Sequence, residues 1–447
     1  MKSRSKFWIT WLPIVVVQGY LWVTFILFWT SSFVQEINNP WQLSIFVFFA
    51  FGSLYLGYAL YQYFHRNKKV PVQPLFQMEG KANLIIFIAA VHLLVYSLAL
   101  LYEFDRLSLS GIINGIINPG AEYARKLEIY DLQATESRSN SLIKLITISY
   151  FLYYAGFTGF ILFWNDLNRK IRILYMIAIL SYCACYIAVG TNKGLGDILI
   201  FLGIGLMVRF GARELYSGTP QAAKYRMPSK FWVVGLCSLF LVYFTSNQLS
   251  RGEHFGGTRN IVRSAQNSLW ANYFGPETSI VLNLAVNYSS SGYAGLAYSL
   301  RQNYEFSYGF GLFPGFHSYA RQYWGVPDMW PRTYLARSEL NTGWPGRMYW
   351  STAFPWWASD LTFPGAVGLM GLLGWLFAWA WRSALMGKNL IGIAAFGMLC
   401  EELLYLNANN QVLMSRTGTW ALATVIFLGL IQSLRPTRSL PSALPKF

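Results

Sequence analysis

Runs of roughly 20 apolar residues recur along the chain, each long enough to cross a bilayer core as a helix. Backbone in lipid must satisfy its own N–H and C=O groups, and continuous rather than alternating apolar runs do so as helices. The balance of the 447 residues agrees: 54% are hydrophobic and 12% charged, where soluble domains carry about 25% charged residues. Ten crossings are expected, at about 8–30, 42–63, 83–102, 142–164, 171–190, 194–210, 231–246, 361–381, 389–406 and 418–434. The first run follows Lys2, Arg4 and Lys6 as a signal peptide would. It extends from about Phe7 to Phe33 with no small-x-small cleavage pattern behind it, so a retained helix is expected. Ser279 to Leu300 is rich in Asn and Ser and reads as a re-entrant or interface-lying helix, with an extra pair of crossings as the alternative. The expected fold is thus an all-α polytopic membrane protein of 10–12 transmembrane helices.

Lysine and arginine bias sets the orientation. With the N-terminus inside, 20 of the 35 Lys and Arg residues fall on the cytoplasmic side, densely in HRNKK and NRKIR, whereas the first outer connection, QEINNP, has none. Both termini are therefore expected in the cytoplasm. The net charge of +16 is scattered over many loops rather than gathered into one patch, which argues against nucleic acid as a partner. Cys183, Cys185, Cys237 and Cys400 lie inside apolar runs and read as buried structural thiols. Three parts follow: 1–246, seven helices with a medium outer loop at about 103–141; 247–360, a large outer loop; and 361–447, three helices and a cytoplasmic tail.

The large loop contains eight arginines and no lysine. Lysine would serve solubility equally well, whereas arginine offers a planar, permanently charged fork that grips phosphate bidentately and stacks on aromatic faces. The same loop is dense in aromatics (GFGLFPGFHSYARQYWGVPDMWP, GWPGRMYW, FPWW), too much so for a disordered linker. Aromatics at this level also serve as an ordinary interfacial belt. Arg251 lies about one turn beyond the seventh crossing, at headgroup level, in QLSRGEHFGGTRNIVRS. Its neighbours Glu253 and His254 are candidates for proton transfer. Arg259 and Arg263 are four apart, as are His317 and Arg321, and so share a face if helical. Arg347 sits between glycine and aromatic residues, and Asp360 begins the eighth crossing, where it is expected to orient an arginine. Lys193, in the turn TNKGLGD, is another outward cation. Glu401 and Glu402 are expected near the middle of the ninth crossing, where carboxylates are paired or functional. The four histidines show no metal-ligand spacing, and no GxGxxG, GxxxxGK[ST] or GxSxG pattern occurs, so neither metal nor cofactor is expected.

From about Thr191 to Leu434 the chain resembles the Wzy-type O-antigen polymerases, related to the O-antigen ligase branch of GT-C glycosyltransferases. The resemblance is carried by TNKGLGDILIFLGIGLMVRF, by the arginine after the next crossing in NQLSRGEHFGG, by the long Arg-rich loop, and by its close in STAFPWWASDLTFPGAVGLMGLLGWLF. It implies a GT-C-like, metal-independent enzyme of the bacterial inner membrane with a periplasmic active site. Such an enzyme moves a glycan from undecaprenyl pyrophosphate onto the terminal sugar of a second lipid-linked repeat unit. Partners implied are that lipid-linked donor and acceptor, membrane lipid and a chain-length regulator protein. Arg251 and Arg347 would then clamp the pyrophosphate with help from Arg259 or Arg321. His254 or Glu253 would take the proton unless leaving-group oxygens do. Two alternatives stay open: a ligase using a lipid A-core acceptor, and a lipid-linked oligosaccharide flippase or secondary transporter.

Overall fold

The computed structural model describes residues 2–66, 81–135, 146–215, 230–254, 269–346, 349–386 and 390–434. Every expected crossing falls on a helix, and no strand occurs among the described residues. In chain order these are α1 (Lys2–Trp29), α2 (Pro40–His65), α3 (Lys81–Glu103), α4 (Leu109–Ile117), α5 (Pro119–Thr135), α6 (Phe151–Leu162), α7 (Arg169–Ala188), α8 (Lys193–Leu215), and α9 (Lys230–His254). The second half adds α10 (Pro276–Ser290), α11 (Gly292–Ser299), α12 (Pro314–Trp324), α13 (Tyr334–Thr342), α14 (Phe354–Met386), α15 (Leu390–Leu404) and α16 (Arg416–Leu434). Among the described residues, six helices are long and apolar enough to cross a membrane: α1, α2, α3, α7, α8 and α14.

Some helices outside this group are short for physical reasons. α6 has only 12 residues, about 18 Å of helix, yet Tyr153 to Phe160 are all buried. It packs against α3, α8, α15 and α16, so protein rather than lipid surrounds it and a full hydrophobic length is not required. The segment 279–300 is α10 followed by α11, both packed against other helices of the bundle. Tyr293 is buried with its hydroxyl 2.9 Å from Thr24 Oγ1 of α1, and the Tyr298 hydroxyl donates to Glu36 O.

α2 and α14 pack together along much of their lengths. A Cβ at Gly57 would lie 1.8 Å from Gly371 O, so only glycine permits this approach. α14 starts seven residues before the expected crossing and kinks at Thr362, whose φ is +65°. Pro364, two residues on, has no N–H for the Asp360 carbonyl. The Tyr304 hydroxyl donates to that carbonyl instead, at 3.1 Å.

The ends of α7, α9 and α15 and the start of α8 meet at one end of the bundle. Arg251 bonds to Gly190 there, and Lys193 to Glu401. The opposite end holds the basic turns: Arg382 donates to His65 O, and Arg172 lies over Trp164. Residues 103–135 of the outer loop hold two helices packed on the bundle. α4 packs on α7, and α5 on α9, where Gly120 N donates to Ser250 Oγ. All four cysteines are free; Cys185 and Cys400 are buried as expected, but Cys237 faces outward from the bundle.

Candidate functional site

Lys193 opens α8, and Asp197 follows one turn later on the same face. The Lys193 ammonium donates to Asp197 Oδ2 at 2.9 Å and to Glu401 Oε1 at 3.2 Å. Asp197 is fully buried and accepts also from the hydroxyls of Tyr153 (3.0 Å), Tyr182 (2.7 Å) and Tyr405 (3.3 Å). Four donors on one carboxylate offset much of its burial penalty. The lysine side chain remains 32% exposed while Glu401 is 4% exposed, so only the cation of this trio opens outward.

Arg251 stands in the last turn of α9. Its Nη2 donates to Gly190 O, the carbonyl that Asn247 Nδ2 also reaches at 3.1 Å, and its guanidinium lies 3.7 Å from the Tyr123 ring centroid. Lys126 on α5 approaches the same ring at 5.7 Å. Burial first, then the neighbouring Arg251 charge, holds the Lys126 ammonium down to about 8, a sign that cations are crowded here. Asn192, beside Lys193, is 5% exposed with neither its amide N–H nor its carbonyl bonded, and Asn247 Oδ1 is likewise unpartnered. A buried polar group left so costs about 1–3 kcal/mol, which a bound polar ligand would relieve. Lys126, Lys193 and Arg251, with these amides and Tyr123, are the candidate groups for holding an anion at one end of the bundle.

The other candidates are placed elsewhere. Glu253 and His254 follow Arg251 and are both exposed. Arg259, Arg263 and Arg347 lie outside the described residues. His317 and Arg321 share α12, as their spacing predicts. His317 is buried edge-on against Phe310 at 4.6 Å with neither ring nitrogen bonded, and burial lowers its proton affinity. Arg321 pairs with Asp328 at 3.4 Å. Asp360 orients a turn rather than an arginine. Its carboxylate accepts from Ser307 Oγ (2.6 Å), Gly309 N (2.9 Å) and Leu312 N (2.8 Å). Asp360→Ala is therefore expected to loosen the 307–312 turn and destabilise the protein by about 2–3 kcal/mol. Faster proteolysis within 300–315 and a lower melting midpoint would report it; an unchanged cleavage pattern would contradict it.

Glu401 and Glu402 lie in the last turn of α15, not near mid-crossing, because α15 ends at Leu404. Glu402 accepts from Val412 N at 2.7 Å and so closes the turn after the helix. Tyr123 and Lys126 were missed in the sequence because their loop gave no sign of returning to α9. Their spacing of three on a helical stretch, AEYARK, was the available signal. Among the described residues no group of three or more His, Cys, Asp or Glu is placed to hold a metal ion. No family model, no curated protein and no solved structure matches this chain.

Proposed function

We propose that the protein is an O-antigen or polysaccharide polymerase. It transfers a glycan from undecaprenyl pyrophosphate to the terminal sugar of another lipid-linked repeat unit at the periplasmic face of the bacterial inner membrane. One observation carries the reading: Lys193, Arg251 and Lys126 gather with unpartnered Asn192 at the end of the bundle that the charge bias assigns to the outside. The leaving group already holds the driving force, so cations aimed at the developing pyrophosphate charge, together with a held acceptor, suffice for rate enhancement. Arg259, Arg263 and Arg347 are further candidates for the clamp. His254 and Glu253, exposed just past Arg251, remain candidates for the acceptor's proton. On the face of α12 opposite His317 and Arg321, Tyr319 and Tyr323 stack at 6.2 Å, a platform suited to sugar.

The GT-C-like arrangement and the ten crossings belong to this proposal, as does a chain-length regulator as partner. The carrier alternative drew on Glu401 and Glu402 at mid-crossing. They stand at the end of α15, Glu401 against Lys193 and Glu402 against Val412 N. Purified protein given lipid-linked repeat units, with no ion gradient, is expected to build a ladder of lengthening chains. Transfer only to lipid A-core would instead make it the ligase. No transfer to either acceptor would refute the enzyme reading.

A further inference from the structure

Lys193 serves two masters, and its geometry has a thermodynamic consequence. Its ammonium is shared between Asp197 and Glu401, so one positive charge faces two buried carboxylates. An anion arriving at Arg251 and Lys126 draws the partly exposed ammonium outward. The two carboxylates are not equal when that happens. Asp197 keeps three hydroxyl donors, Tyr153, Tyr182 and Tyr405. Glu401 has no such donors: Lys193 is its hydrogen-bond partner through Oε1, and its Oε2 is buried and unpartnered. An unpaired carboxylate buried to 4% exposure costs several kcal/mol, more than the cost of binding a proton near neutral pH.

We propose that Lys193 and Glu401 form a proton-linked latch: an anionic phosphate or pyrophosphate takes Lys193 from Glu401, and Glu401 takes up one proton in exchange. The step balances, with one hydronium giving its proton to the Glu401 carboxylate, leaving water and a neutral carboxylic acid. The anion's charge is then met by Lys193, and the one charge left inside, on Asp197, keeps its three hydroxyl donors. The inference rests on the anion-site reading of the proposed function and adds to it a rule for when the site loads.

The groups facing Glu401 support this assignment. α6 and the residue before it bring Tyr150, Tyr153 and Tyr154, α8 brings Lys193 and Asp197, and its own segment brings Glu402 and Tyr405. Tyr20 of α1 donates to Asn407, Asp360 of α14 is held by the 307–312 turn, Arg382 of α14 lies at the opposite end, and Arg416 of α16 reaches Gln322. Lys193 is thus the cation whose departure Glu401 senses.

The sign follows from linkage. Binding that takes up a proton strengthens as pH falls and weakens about tenfold per pH unit once Glu401 must be protonated from bulk. Calorimetric titration of the purified, detergent-solubilised protein with inorganic pyrophosphate, in pairs of buffers of different ionisation heat, counts protons directly. The difference between wild type and Glu401→Gln removes the probe's own titration. Wild type is expected to take up close to one proton more than Glu401→Gln, whose affinity loses this pH dependence. In the wild type alone, infrared difference spectra on adding pyrophosphate should gain a protonated-carboxyl C=O band, which keeps the test sound if the variant misfolds. Pyrophosphate binding without extra proton uptake and without that band overturns the latch and leaves the anion site standing. No binding at all overturns both.

Discussion

Arg251→Ala is expected to arrest products at a single repeat unit and cut turnover by ~10²–10³-fold, the usual effect of removing one transition-state charge donor. The amount of protein in the membrane should not change, because Asn247 still holds the Gly190 carbonyl at 3.1 Å. Arg251→Lys separates the roles of charge and shape. Lysine keeps the charge but loses the fork and the flat stacking on Tyr123, now at 3.7 Å from ring centroid to guanidinium. An intermediate loss is therefore expected for lysine, and the same single-repeat arrest for Arg347→Ala. Chain length read on gels of lipid-linked product, with protein measured in parallel, decides the matter. Retained long chains in Arg251→Ala would remove this residue from the proposed pyrophosphate site.

The helices were legible because apolar length is a local property, readable wherever some 20 residues avoid charge. Legibility failed where the surroundings, not the run itself, decide the outcome. α6 is short because neighbouring helices bury it all round, and α14 begins early because its kink at Thr362 joins two helical pieces. For the candidate site, single cations were visible and their partners were not. Lys193 reads as an outward charge, and Asp197 lies four residues on, a spacing open to inspection. Glu401 lies 208 residues away, and only packing of α15 beside α8 joins the two. Asp360 shows the converse: a carboxylate at a helix start reads as available for an arginine, yet three donors from 307–312 take it. Such partners come from long-range topology, which one sequence does not spell out.

That buried trio yields the largest stability effect. Lys193→Met removes the ammonium and leaves Asp197 and Glu401 facing each other within the protein. Breaking a buried pair on one side costs about 3–5 kcal/mol, and the partial exposure of Lys193 favours the lower end of that range. The tyrosines limit the damage at Asp197, so the strain concentrates at Glu401. Lys193→Met combined with Glu401→Gln should therefore recover much of the lost thermal stability, since the second change removes the charge that the first one stranded. Activity should not recover, because the outward cation is still missing from the anion site. Melting midpoints of the two single variants and the double variant, set beside their polymerisation rates, test both halves together. Equal midpoints for wild type and Lys193→Met would show that the carboxylates do not depend on this lysine. Recovered polymerisation in the double variant would show that Lys193 serves the fold alone, leaving Arg251 and Lys126 to meet the anion.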